Sequence, residues 1–485
     1  MPRTLGPLGA ALVATLAGCT AILGFDKDVV EQGRIVNGAN DSGPAPTSPS
    51  DEPDASEPPP EAALRGVPDT TFGDGGAASI VSGLDVSADQ PEAVRVQCGA
   101  LFDETDDLLV ACATDNSRAA VKRRTHALRF TTAGVVDSTF GSADGGGAEF
   151  TDFVSQPARR PQGGYLFVGY ADDPGSSNYR MGRNLVAALT ADGAPDPSFA
   201  DAGRLTVAVT KPDEGDTLES VVAIGDKVLV SGRTWAKNSD SFFLGHSFWG
   251  EVDPTTGQYS KLVDKRAEAL NSEWTTGAFR PSAGTTLVIG TMIRSGYTAD
   301  TVTISRYAGE DLDPTYGDGG LAEISQPGLN LMAVVGSLDS TNTGAALVAA
   351  SGALDAGSVV RFTSDGKRDP AFGDGGVRPL PPPPPLFPGS LQITAMLPVA
   401  DGKLIVGGNI LLPNKTRSPF ILRLDAKGAA DLEFGTSGWI QPSIGEVSGQ
   451  ASIEALRFSK DGRLLAVGTA VNDVGTRDIF VLRFR

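Results

Sequence analysis

The stretch Arg361-Phe362-Thr363-Ser364-Asp365-Gly366-Lys367-Arg368-Asp369-Pro370-Ala371-Phe372-Gly373-Asp374-Gly375-Gly376 decides the fold. Asp369-Pro370 initiates a turn in which the carboxylate caps backbone amides, Phe372 supplies an apolar plug, and the glycine pair permits positive φ and close backbone approach. The same D-x-x-F-G-x-G-G pattern recurs, with small variations, around Phe72, Phe140, Phe199, Tyr316, Phe372 and Phe434. Its intervals are 68, 59, 117, 56 and 62 residues. The long gap holds a degenerate copy, Asp253-Pro254-Thr255-Thr256-Gly257-Gln258-Tyr259, which makes seven copies with a period of about 60 residues.

Each unit carries the same order of strand signals. A short strand such as Arg204 to Val209 follows the glycine pair, then a second such as Ile453 to Phe458. A turn such as Asp401-Gly402-Lys403 or Asp461-Gly462-Arg463 leads into a third strand that is almost continuously apolar, as in Leu108 to Cys112, Leu166 to Gly169 or Leu464 to Gly468. Such a run implies burial on both faces. A fourth strand, such as Phe420 to Leu424 or Phe480 to Phe484, closes the unit. The reading is an all-β chain: a seven-bladed β-propeller with four antiparallel strands per blade, one whole repeat to each blade, over residues 67–485. An open solenoid is the alternative, but it would need capping ends.

The units resemble the delta-60 repeat, a bacterial propeller-type repeat of unknown activity. The resemblance covers about Pro68 to Arg485; it implies the fold and transfers no catalytic residues. Departures are the fourth copy, which lacks the F-G-x-G-G half, and Ala202-Gly203 and Ser437-Gly438, where the first glycine of the pair is replaced.

Composition agrees with short strands and many turns: among 485 residues there are 60 Gly and 33 Pro, with only 20% charged. A net charge of −19 argues against a nucleic-acid-binding protein. Residues 1–18 read as a lipoprotein signal peptide with Arg3 in the positive region and an apolar stretch from Leu5 to Leu16 that is too short to span a bilayer. Leu16-Ala17-Gly18-Cys19 resembles a bacterial lipobox, which implies lipid on Cys19; an ordinary signal peptide is the other reading. By resemblance to Gram-negative sorting rules, Thr20 in place of an aspartate sends the protein to the outer membrane, facing periplasm or cell surface. Residues 19–66 read as a lipidated N-terminus and a disordered Pro/Ser/acidic tether, as in Pro58-Pro59-Pro60-Glu61.

Cys98 and Cys112 are symmetric about Thr105, the centre of the acidic turn Asp103-Glu104-Thr105-Asp106-Asp107. A hairpin there sets them opposite each other as a disulfide; two buried thiols are the alternative. Asp69 with Asp74, Asp313 with Asp318, and Asp369 with Asp374 recur five apart in glycine-rich loops, a pattern read as structural, with calcium as the competing reading. No metal, cofactor or catalytic residue is assigned: G-x-S-x-G, P-loop, C-x-x-C and H-E-x-x-H are all missing from the sequence. The two histidines, His126 and His246, read as strand or turn residues.

The loops between the third and fourth strands differ from repeat to repeat and gather Arg118, Lys122, Arg123, Arg124, Tyr179, Arg180, Arg183 and Trp235, with Tyr297, Lys415 and Arg417 in equivalent places. They read as a rim site for an anionic glycan or an acidic envelope protein. Reversing Arg123 and Arg124 to Glu is then expected to leave the melting midpoint unchanged. The functional expectation is a monomeric, membrane-tethered, non-enzymatic binding module. The alternatives are a polysaccharide-active enzyme, which needs two carboxylates meeting over the central channel, and a purely structural envelope protein.

Overall fold

The computed structural model describes residues 64–84, 95–115, 123–141, 147–172, 182–206, 209, 215–237, 243–263, 273–292, 301–325, 331–338, 346–352, 357–382, 389–444, 450–472 and 477–485. Residues 1–63, where the expected signal peptide, Cys19 and most of the expected tether fall, lie outside them. The first blade consists of Arg95–Phe102, Leu108–Asp115, Arg123–Phe130 and Ala148–Phe150, paired antiparallel in chain order. Five more blades follow along the chain, with inner strands Phe153–Arg159, Gly215–Ile224, Glu273–Ser282, Leu331–Leu338 and Ser390–Pro398. A last sheet draws Ala451–Phe458, Leu464–Val471 and Arg477–Phe484 from the C-terminal end and takes Ala77–Leu84 as its outer strand. Each inner strand packs on the next, and Ala451–Phe458 packs on Arg95–Phe102, so the sheets close into a β-propeller.

The expectation of seven blades, each one whole four-stranded repeat, is corrected. Six blades are continuous in sequence, the fourth has five strands, and the sheet that completes the ring is a composite of both chain ends. The reason is local: the tight turn at each D-x-x-F-G-x-G-G motif returns the chain antiparallel onto the strand it has just left. The first strand of a repeat therefore becomes the outer edge of the preceding blade, and the second strand of the repeat is innermost. In the fourth blade Thr301–Ala308 pairs with both Asp311–Leu312 and Leu321–Ser325. At the seam Arg65 and Val67 donate their N–H groups to Arg485 O, and Arg485 N–H returns a bond to Val67 O. Leu64 is buried in the core there.

The near-continuous apolar strands are buried on both faces: Leu464–Val471 is buried at every position and Leu108–Asp115 at all but the last. Six inner strands carry a bulge, at Ser155, Glu219, Thr276, Met332, Thr394 and Glu454. Beside each bulge the neighbouring strand holds a glycine, namely Gly169, Gly232, Gly290, Gly352, Gly408 and Gly468. Four of these let an inner-strand carbonyl approach; a Cβ on Gly169 would sit 1.8 Å from Phe153 O. In the first blade Cys112 occupies this position and the bulge is missing. Cys112 stands directly opposite Cys98, and the two form a buried disulfide with S–S 2.09 Å.

Candidate functional site

The repeated motif builds a clamp between blades. The Oδ1 atoms of Asp69, Asp137, Asp196, Asp313, Asp369 and Asp431 accept the N–H two residues on, at 2.8 to 3.2 Å. Their Oδ2 atoms pair with Arg483, Arg129, Arg160, Arg306, Arg361 and Arg423. Each guanidinium lies 4.6 to 5.5 Å from the centre of the motif's aromatic ring, at Phe72, Phe140, Phe199, Tyr316, Phe372 or Phe434. All six rings are buried. Each also abuts a turn glycine of the following blade, as Phe72 does Gly134 and Phe372 does Gly428, and Gly66 plays that part for Phe434 across the seam. Burial raises the Asp69 carboxyl, but Thr71, Arg483 and Arg463 outweigh it and hold it at about 2. Thr139 and Arg129 likewise hold Asp137 at about 2.

These bonds account for Asp69, Asp313 and Asp369, the leading carboxylates of the recurrent pairs, and among the described residues no three His, Cys, Asp or Glu groups converge on a metal position. The degenerate fourth copy is replaced by other side chains. Trp249, fully buried, meets Tyr307 edge-on at 5.7 Å, while Arg280 and Lys227 pair with Glu251. Motif reading missed this junction, although the Trp249-Gly250-Glu251 stretch of a third blade with no plug of its own was a signal.

The basic rim is only partly described. Arg118, Lys122, Tyr179, Arg180 and Tyr297 lie outside the described residues. Arg123 and Arg124 open the strand Arg123–Phe130, and alternation places Arg123 inward and Arg124 half-exposed. Arg123 is buried, 3.5 Å from Asp115 and 4.6 Å over the Tyr170 ring of the next blade, so it holds the blades together. Arg183 lies 3.9 Å from the fully buried Asp216. Trp235 is a strand residue opposite Gly215. On the same face Glu219 and Glu454 occupy equivalent bulges near the channel. Glu219 is buried 3.1 Å from Arg233, and burial pushes the Glu454 carboxyl up to about 7 against Ser452, Arg477 and Arg417. Each carboxylate is thus embedded beside arginine.

The opposite, Asp-rich face holds a cavity of about 340 Å³ between the composite sheet and the first blade. Its floor is Phe72, Phe102, Leu108 and Leu465, and its rim includes Asp106, Lys460 and Asp461. Asp106 sits at φ +68° and accepts Lys460 N–H at 3.2 Å; Lys460 Nζ donates to Glu104 O at 2.8 Å. Burial pushes the Asp106 carboxyl up, with Asp461 and Asp103 adding to it against Lys460. Where other second-strand entrances carry Lys227, Lys403 or Arg463, this blade carries Asp107. Sequence reading took this turn only as a hairpin centre.

Residues 400–434 match a family described as a domain of unknown function (DUF5122) that forms a β-propeller. No curated protein matches. Among solved structures, a protein of unknown function from Dyadobacter fermentans is similar at 10% identity and TM-score 0.45, covering 84% of this chain and all of that one. BamB from Moraxella catarrhalis is similar at 11% identity and TM-score 0.33, covering 73% and 93%. A Trypanosoma rangeli sialidase mutant displaying trans-sialidase activity is similar at 13% and 0.37, and the chain spans 57% of its length. Likenesses this distant transfer no chemistry.

Proposed function

We propose that this protein is an envelope lipoprotein of the delta-60 repeat kind, held to the outer membrane through Cys19, whose propeller binds a ligand without turning it over. The carrying observation is the contrast between the clamps and the seam. Six motif carboxylates are already held by arginines, whereas the seam cavity presents Asp106, bonded to the Lys460 backbone N–H, above an apolar floor. Its volume lies in the range of small-ligand pockets. The lipobox Leu16-Ala17-Gly18-Cys19 and the acidic, proline-rich segment behind it support the tether. The match of residues 400–434 to a propeller family of unknown function supports the repeat assignment.

The test is a binding screen of the purified full chain against envelope glycans, acidic envelope proteins and small polar ligands, with product analysis of every glycan. Saturable binding without product is expected. Polysaccharide cleavage would replace this reading with the enzymatic one. Cys19→Ser should move the protein to a soluble fraction, and continued membrane partition would refute the anchor.

A further inference from the structure

The seam cavity is charged at its mouth and apolar at its floor. Asp106, Asp461, Lys460 and Arg483 line it; Asp69 and Arg463 are paired to these, and Glu104 and Asp107 are bonded to the lining residues Lys460 and Thr132. Arg483 and Arg463 are both directed to Asp69, and Arg463 also pairs with Asp461 at 2.9 Å. Lys460 points at the Glu104 carbonyl. Carboxylate is therefore in surplus at a mouth whose floor is Phe102, Leu108 and Leu465. The next junction fills the corresponding space: Tyr165, which stands where this blade has Leu108, reaches Asp103 at 3.3 Å between the first two blades.

We infer that the seam cavity binds an alkylammonium group, its apolar stem on Phe102, Leu108 and Leu465 and its charged head toward Asp106 and Asp461. A carboxylate half-withdrawn from water attracts a cation more strongly than an exposed one. A neutral ligand of equal length gains only the apolar contact. The head could belong to a free diamine or to a lysine side chain of a peptide, which share this chemistry. The inference rests on the binding-module reading and assigns a ligand class to its site.

The test is titration calorimetry of the full chain in nonionic detergent, with a micelle-only control, against n-pentylamine, n-pentanol, cadaverine and an Nα-acetyl-lysine amide. Pentylamine should bind saturably and at least about tenfold more tightly than pentanol, weakening as salt rises. Asp106→Asn should weaken it about tenfold with the melting midpoint held, because Asn tolerates the left-handed backbone at this position. Leu465→Lys, which places an ammonium inside the cavity, should abolish binding and serves as the second variant. Tighter binding of cadaverine than of the lysine amide assigns a free diamine, and the reverse assigns a peptide. Equal affinity for amine and alcohol, no saturation up to ~10 mM, or an unaffected Asp106→Asn would overturn the inference. If a glycan binds in the wider screen while pentylamine does not, the alkylammonium assignment falls and the binding-module reading stands.

Discussion

Asp69 and Asp365 offer a direct test of which aspartates hold the ring. Both carboxyls lie at about 2, below the ordinary 3.8, yet Asp69 is 1% exposed and Asp365 is 47% exposed. Asp69 accepts Thr71 N–H and Oγ1–H through Oδ1, and receives Arg483 and Arg463 on Oδ2 across the composite sheet. The drop from 3.8 to about 2 corresponds to roughly 2 kcal/mol, at about 1.4 kcal/mol per pH unit. A depressed carboxyl stabilises the folded state above its unfolded value, and that contribution fades as pH falls from 3.8 toward 2. Asp69→Asn keeps the Thr71 acceptor and removes the charge, so it should cost about 2 kcal/mol at pH 7 and almost nothing near pH 2. Asp365→Asn should leave stability nearly unchanged, because water and salt screen its pair with Lys367. Urea unfolding of both variants at the two pH values is the assay, since guanidinium chloride would itself screen the ion pairs. A pH-independent loss in Asp69→Asn, or equal losses in the two variants, would refute the clamp as an electrostatic device.

Other outcomes follow from the same packing. Replacing Cys98 and Cys112 by Ala opens a closed loop of 15 residues and should cost about 3 kcal/mol, read as a lower urea midpoint under non-reducing conditions. Ala202 holds φ +49° where other copies have Gly75, Gly319 and Gly375, and a Cβ at those three positions meets nothing within 4 Å. Ala202→Gly should therefore raise stability by about 0.5–1 kcal/mol, the left-handed cost less the entropy glycine adds to the unfolded chain; a lower melting temperature would contradict this. Arg123→Glu should cost ~3–5 kcal/mol by setting a carboxylate beside Asp115 in a buried junction, while Arg124→Glu should leave the unfolding free energy within ~0.5 kcal/mol of wild type, both read by urea unfolding.

Where chemistry is local, the sequence was legible. The motif aromatics are plugs because an aspartate-capped turn three residues before each ring fixes its place locally. Cys98 and Cys112 are opposite because antiparallel register follows from a turn centred on Thr105. Arg123 was misplaced by one structural boundary: it reads as loop among Arg118, Lys122 and Arg124, yet Arg123, Thr125 and Ala127 alternate as the buried side of a strand. Period-two reading carried two residues further would have found it. The seam cavity was out of reach, since it depends on Lys460 meeting a turn 354 residues earlier.

The phase of the repeat was the larger difficulty, and its resolution bears on where the site lies. A cyclic pattern has no first strand, so any cut of the 60-residue unit describes the sequence equally well. Only the ring decides that Ala77–Leu84 completes the sheet begun at Ala451. One residue could have indicated it: Gly66 stands to Phe434 as Gly134 does to Phe72, so the first described turn belongs to the repeat of Phe434. In the continuous blades, covalent linkage brings a motif to the strand it returns on. At the seam that work falls to Arg485 with Arg65 and Val67, to Arg423 with Leu64 O at 2.6 Å, and to Asp69 with Arg463 and Arg483. With both arginines turned toward Asp69 and Arg129 placed 3.8 Å from Asp103, Asp106 is left with Lys460 as its neighbouring cation at the cavity mouth. The joint that closes the ring is thereby also the place where the repeat stops neutralising itself.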